Sequence, residues 1–173
     1  SMAAIMIEVQ HYDDPGVNAI VAVTAVGADP SDVGGEIGRL LRVIVDALGA
    51  RAAVLQAADT RAGRFTVLDS VNLTSWSAGM DNAPLTEGVA GQAHFEGMEL
   101  EVDHAGMPDA LREAGLSHAV ALPVRSAERS HGVIWVAGAE PLSEDRLCRH
   151  AARVGAERVA GLLEQVRLSE TLE

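Results

Sequence analysis

The sequence contains no lysine. All 13 of its basic residues are arginines, set against 25 acidic ones for a formal charge of −12. A surface of that sign repels phosphate backbones, and the arginines are scattered rather than gathered into a stripe, which argues against direct nucleic-acid binding. Cysteine is nearly absent too. The lone Cys148 forbids an internal disulfide and, with no export signal in sight, points to a reducing cytoplasm. Aromatics make up only 3% of the chain, so Val, Leu, Ile and Ala must build the core. The longest apolar runs, such as Ala19 to Val26, are about eight residues, whereas a membrane-spanning helix needs about 20. No Gly-x-Ser-x-Gly or Walker-type loop occurs. The glycines of Gly34-Gly35-x-x-Gly38 lack a preceding strand and a lysine, and read as a flexible helix entry.

What is present is a chain of 173 residues, 48% apolar, the size of one domain with an ordinary core. Residues 1–14 read as a cloning remnant, Ser1-Met2, and an N-terminal arm; residues 15–173 read as a single domain. Asp14-Pro15 suits a helix N-cap and first turn, while Asn18 to Val26 has a composition that suits helix or strand. Ile37, Leu40, Leu41, Ile44 and Leu48 recur at the spacing of an amphipathic helix that Gly49 ends. Ala52 to Ala57 and Arg64 to Val71 flank a polar turn and predict a β-hairpin; Asn72 to Asn82 predicts a loop that carries Trp76 over the sheet. A short helix over Gly88 to Phe95, a brief strand at Leu100 to Val102, and a helical turn or two within Pro108 to Ala114 follow. A second hairpin, His118 to Arg125 and Gly132 to Ala137, leads to a long helix capped by Ser143-Glu144-Asp145, with an apolar stripe from Leu147 to Val166 and helical character still at Leu172. The charged face of that helix, with Arg146, Arg149, Arg153 and Arg158, reads as solvated. The order of elements predicts an α+β sandwich with an antiparallel sheet.

Five short patterns in order resemble the GAF domain family. They are Pro84-Leu85-x-x-Gly88-Val89-x-Gly91; Gly97 with Leu100-Glu101-Val102-Asp103, where Asp103 follows Val102 directly though the family often spaces them by one; Gly115-Leu116-Ser117-x-x-Val120-x-Leu122-Pro123-Val124; Gly132-Val133-Ile134; and Leu142-Ser143-Glu144-Asp145-x-Leu147. The resemblance implies a six-stranded antiparallel sheet, with the N- and C-terminal helices on one face. On the other face it implies a pocket roofed by the loops and short helices of Pro84 to Val124. It further implies a sensory or regulatory domain rather than an enzyme, binding a small molecule and signalling through its terminal helices to an output domain or partner, and forming a homodimer through those helices. The alternative is a dimerisation or protein-interaction module with no ligand.

The ligand is not named by the residues. The candidate pocket contacts are Gln56, Ser70, Trp76, His94, His104, Ser117, His118, Val120 and Trp135. Trp135 would be the floor and Trp76 the lid, or both would simply fill volume. Gln56, Ser70 and Ser117 would supply polar contacts. A histidine can ligate metal or titrate near neutrality. The plainer reading puts His94 on a helix surface, His104 on a solvated loop, and His118 at a strand start with its ring hydrogen-bonded. Haem is disfavoured because the His-Pro-Pro neighbourhood of haem-binding members is missing around His104. Metal is disfavoured because no ligand pair has helical spacing. The cysteine chemistry of free methionine sulfoxide reductases, which share the fold, needs more than Cys148, bilin attachment needs a cysteine in the roof, and the cyclic-nucleotide pattern of the family needs a lysine.

Overall fold

The structure is a computed structural model that describes residues 13–27, 31–73, 80–127 and 129–171. Five strands form one antiparallel sheet in the order β2-β1-β5-β4-β3: β1 is Ala52–Asp59, β2 Arg64–Val71, β3 Leu100–Val102, β4 His118–Arg125 and β5 Ser130–Gly138. Helices α1 (Pro15–Ala25), α2 (Val33–Ala47) and α5 (Arg146–Thr171) cover one face. The short α3 (Gly88–Glu96), a 3-10 turn at His104–Gly106 and α4 (Asp109–Glu113) cover the other. The expected sixth strand is not among the described residues. The segment after the first hairpin does run along the free edge of β2, where Phe65 N donates to Ala83 O and Asn82 N to Phe65 O, but it makes a single bridge, Arg64 to Pro84. Pro84 sits at a non-hydrogen-bonded bridge position, so its ring nitrogen faces away from β2; the ladder stops because Val67 N is taken by the Asp81 side chain instead of a backbone carbonyl.

Strand alternation sorts the core into two layers. Ala53, Leu55, Val120, Leu122, Val124, Ile134 and Val136 point to the helices, where they meet Leu40, Leu41 and Ile44 of α2 and Ala152, Ala156 and Val159 of α5. Ala52, Val54, Ala119, Ala121, Val133, Trp135 and Ala137 point to the roof, against Phe65, Met80, Leu85, Met107 and Leu111. Trp135 pairs across strands with Val54 and Ala121, and the small alanine gives its ring room.

The caps follow from sequence. Asp14 accepts from Gly16 N at 2.8 Å, which settles the ambiguous first segment as helix, and Asp145 accepts from Leu147 N and Cys148 N, each at 3.0 Å, to start α5. The charged face of α5 is not simply solvated, as expected from the sequence. Arg149 reaches Glu101 of β3, Arg153 reaches Glu99, and Arg158 donates to Val23 O at 2.5 Å and Val26 O at 2.6 Å at the end of α1. Long arginines reach across to neighbouring elements because their stems lie along the helix while the heads find carboxylates and free carbonyls. Among the described residues no helix is long and apolar enough to cross a membrane.

Candidate functional site

The roof begins with two glycines that the geometry requires. Gly88 has φ +70°, and a Cβ on Gly91 would lie 2.6 Å from Leu85 O, so α3 can sit tightly on the Pro84-Leu85 loop only with glycine there. This brings the first turn of α3 to the mouth of a cavity of about 190 Å³ between sheet and roof. Gln56 and Trp135 floor it, Phe65 and Ala83 wall it, and Glu87 to Ala90 with Gly106, Met107 and Pro108 close it above. Its volume is below the ~300–1,000 Å³ of most ligand pockets and equals about six waters.

The floor carries a buried polar pair. Trp135 Nε1 donates to Gln56 Oε1 at 2.9 Å, and Gln56 Nε2 donates to Met80 O at 2.9 Å. Gln56 is 2% exposed and Trp135 1%, and only this orientation of the amide satisfies both partners. The amide keeps one N–H and one lone pair beyond these bonds, available to a polar group in the cavity. At the rim, α3 starts without a side-chain cap, since Glu87 makes no capping hydrogen bond, so its first amide protons face outward from a positive helix end.

Of the sequence-derived candidates, the structure brings Gln56 and Trp135 together at this cavity. The others lie elsewhere. Val120 is fully buried in the opposite layer, against the helices, because Ala119 and Ala121 take the roof-facing positions of β4. Ser70 is on the far strand, its Oγ donating to Leu73 O at 3.3 Å, and Ser117 Oγ donates to Ala139 O at 2.9 Å. His118 opens instead onto a separate recess beside Asp103, Leu142 and Glu144. His104 is exposed in the 3-10 turn, and Trp76 lies outside the described residues. His94 is not on a helix surface: it is 5% exposed, with Nδ1 2.6 Å from Ser130 Oγ and its ring edge-on to Phe65 and Phe95. Burial, then Arg125, then His131 hold its pKa below the ordinary histidine value.

Residues missed from the sequence are Phe65 and Met107, apolar walls indistinguishable in one dimension from core. Phe65 had a signal, since pairing counted back from the turn puts it opposite Ala58, on the same roof-facing side of the first hairpin as Gln56. No group of His, Cys, Asp and Glu among the described residues is arranged to hold a metal ion. Cys148 is 3% exposed in the helix layer, and burial pushes its thiol pKa up.

No protein-family model matches the chain, and no curated protein matches it in sequence. Solved structures do. The GAF domain of a phosphoenolpyruvate-protein phosphotransferase (ptsP) from Coxiella burnetii is similar with TM-score 0.74 at 16% identity, over 91% of this chain and 97% of that one. A free methionine-R-sulfoxide reductase from Neisseria meningitidis, in complex with its substrate, is similar with TM-score 0.72 at 18% identity, over 92% and 96%. The GAF-B domain of DevS from Mycobacterium smegmatis is similar with TM-score 0.59 at 15% identity, over 84% and 100%.

Proposed function

We propose that this chain, which has the GAF fold of those structures, is a cytoplasmic sensory or regulatory module. In this reading residues 15–173 act as one domain that takes a small molecule between sheet and roof and reports it through α1 and α5 to an output domain or partner. The observation that carries the reading is the recess of about 190 Å³ over the Gln56–Trp135 pair, largely apolar, with one oriented amide in its floor and Glu87 in its lining. That favours a compact ligand with an apolar body and one hydrogen-bonding group. Catalysis is not part of the proposal: Cys148, the only thiol, is buried on the other side of the sheet, with burial holding it protonated.

A thermal-shift and tryptophan-fluorescence screen with nucleotides, amino-acid derivatives, small carboxylates and haem tests it. A true ligand at about 100 times its Kd adds about 2.7 kcal/mol of stability, and that gain disappears in Gln56→Leu. Ligands that bind Gln56→Leu as well as they bind the unsubstituted chain, or a screen without any hit, would overturn the reading.

One observation favours the second reading, an interaction module without ligand. Helix α1, PGVNAIVAVTA, carries no charged residue in a chain of net charge −12, and its Val17 and Val21 are only part-buried. Such a helix suits a symmetric contact between two copies.

A further inference from the structure

Ser130 and His131 open β5 where the register shifts between Val124 and Arg125, and this irregularity, with His131 as the extra residue, sends the two side chains to opposite sides of the sheet. On the roof side, Ser130 Oγ and His94 Nδ1 of α3 are 2.6 Å apart. On the helix side, His131 Nε2 lies 3.1 Å from Ser126 Oγ and 3.0 Å from Glu164 Oε2 of α5. Both imidazoles are buried, 5% and 8% exposed. Two consecutive residues of one strand therefore reach both the helix that roofs the cavity, through a hydrogen bond, and the last third of the long helix behind the sheet, through a close approach that becomes an ion pair when His131 is protonated. We propose that His94–Ser130 and His131–Glu164 form a latch through the sheet that couples α3 to α5 and loosens on its roof side in mild acid. It rests on the roof being the sensory face, but its test uses no ligand, so it can fail while that reading stands.

The asymmetry comes from the charges around each ring. His94 is faced by Arg125 of β4, by the rings of Phe65 on β2 and Phe95 beside it on α3, and by His131 from across the strand, with no carboxylate in the set. In the neutral tautomer with its proton on Nε2, its Nδ1 accepts from the serine hydroxyl. Protonation makes that nitrogen a donor, forces the hydroxyl to turn, and adds a buried cation beside Arg125. His131 is faced by Glu164, Arg129, Arg167 and Ser126, and Glu164 also binds Arg167 at 3.0 Å and lies 3.7 Å from Arg129. A proton there gains an anion, so the α5 side holds when the roof side lets go. Burial is the largest influence that lowers the pKa of both rings.

Hydrogen exchange on the full chain, with mass spectrometry by segment, tests the coupling. Ser130→Ala should raise exchange by roughly five-fold or more in the last turns of α5 as well as in α3, and Glu164→Gln should do the same in α3. Lowering the pH from about 7.5 to about 5.5 should reproduce the Ser130→Ala pattern, with the His94 ring proton titrating below about 6.5 by NMR. Effects confined to the substituted face would overturn the latch. So would an equal response of α5 to Ser117→Ala, whose hydroxyl bonds Ala139 O at the other end of the sheet, or a His94 that titrates at or above the ordinary value.

Discussion

Gln56 is the residue on which most depends. It is polar, buried, and bound at both ends of its amide, so Gln56→Leu orphans the Trp135 indole N–H and the Met80 carbonyl at once. An orphaned buried group costs about 1–3 kcal/mol. We expect Gln56→Leu to lower the stability read from urea denaturation by at least that amount, with a changed tryptophan emission. The two buried histidines set the pH response. Both have folded pKa values lowered, chiefly by burial, so the unfolded chain binds more protons than the folded one as the pH falls below about 6.5. Stability is therefore full above that value and is lost below it. The melting temperature should fall between about pH 7.5 and about pH 5.5, and less so in His94→Gln. Glu164, whose pKa is lowered first by Arg167, acts in the same direction in a more acid window: its contribution is present above the ordinary carboxylate range and is lost as the pH falls through and below that range.

The long helix is the element that integrates the fold. α5 has 26 residues, so it runs roughly 39 Å, and it packs on α1, α2, β4 and β5. Where it crosses α2, Gly155 lies so close that a Cβ would come 2.7 Å from Ile44 Cγ1. Gly155→Val should destabilise by about 1–3 kcal/mol, seen as a lowered denaturation midpoint, because neither helix can retreat from a close-packed core. Arg158 ends α1 by binding the carbonyls of Val23 and Val26, which a helix C-terminus leaves unpaired. Replacing it with methionine keeps the apolar stem but should cost about 1.5–3 kcal/mol and raise hydrogen exchange in α1 more than elsewhere. The segment that edges β2 shows the same dependence on single groups, since the Asp81 carboxylate takes the Val67 amide that a further strand would have bonded.

For the whole molecule, a charge of −12 makes self-association sensitive to salt. If two copies meet through α1, light scattering should find dimers that strengthen as salt is raised, and Val21→Glu should leave monomers. The order and type of the elements were legible in the sequence: the three-and-four spacing of α2 and α5, the alternation of the hairpins, and caps such as Asp14, Asp145 and Gly97 act over a few residues, and local chemistry suffices for them. The floor of the cavity was half legible, because Gln56 and Trp135 stood out as a polar and a large residue in aliphatic strands. Their hydrogen bond joins positions 79 residues apart and could not be read along the chain. The same holds for Val120, whose side of the sheet is set by where β4 starts its alternation, and for His94, which burial against Ser130 and Phe65 turns from an apparent surface residue into part of the core. Local periodicity made the helices and strands; which faces meet, and which polar groups are closed in together, was decided only when the sheet brought distant segments within bonding distance.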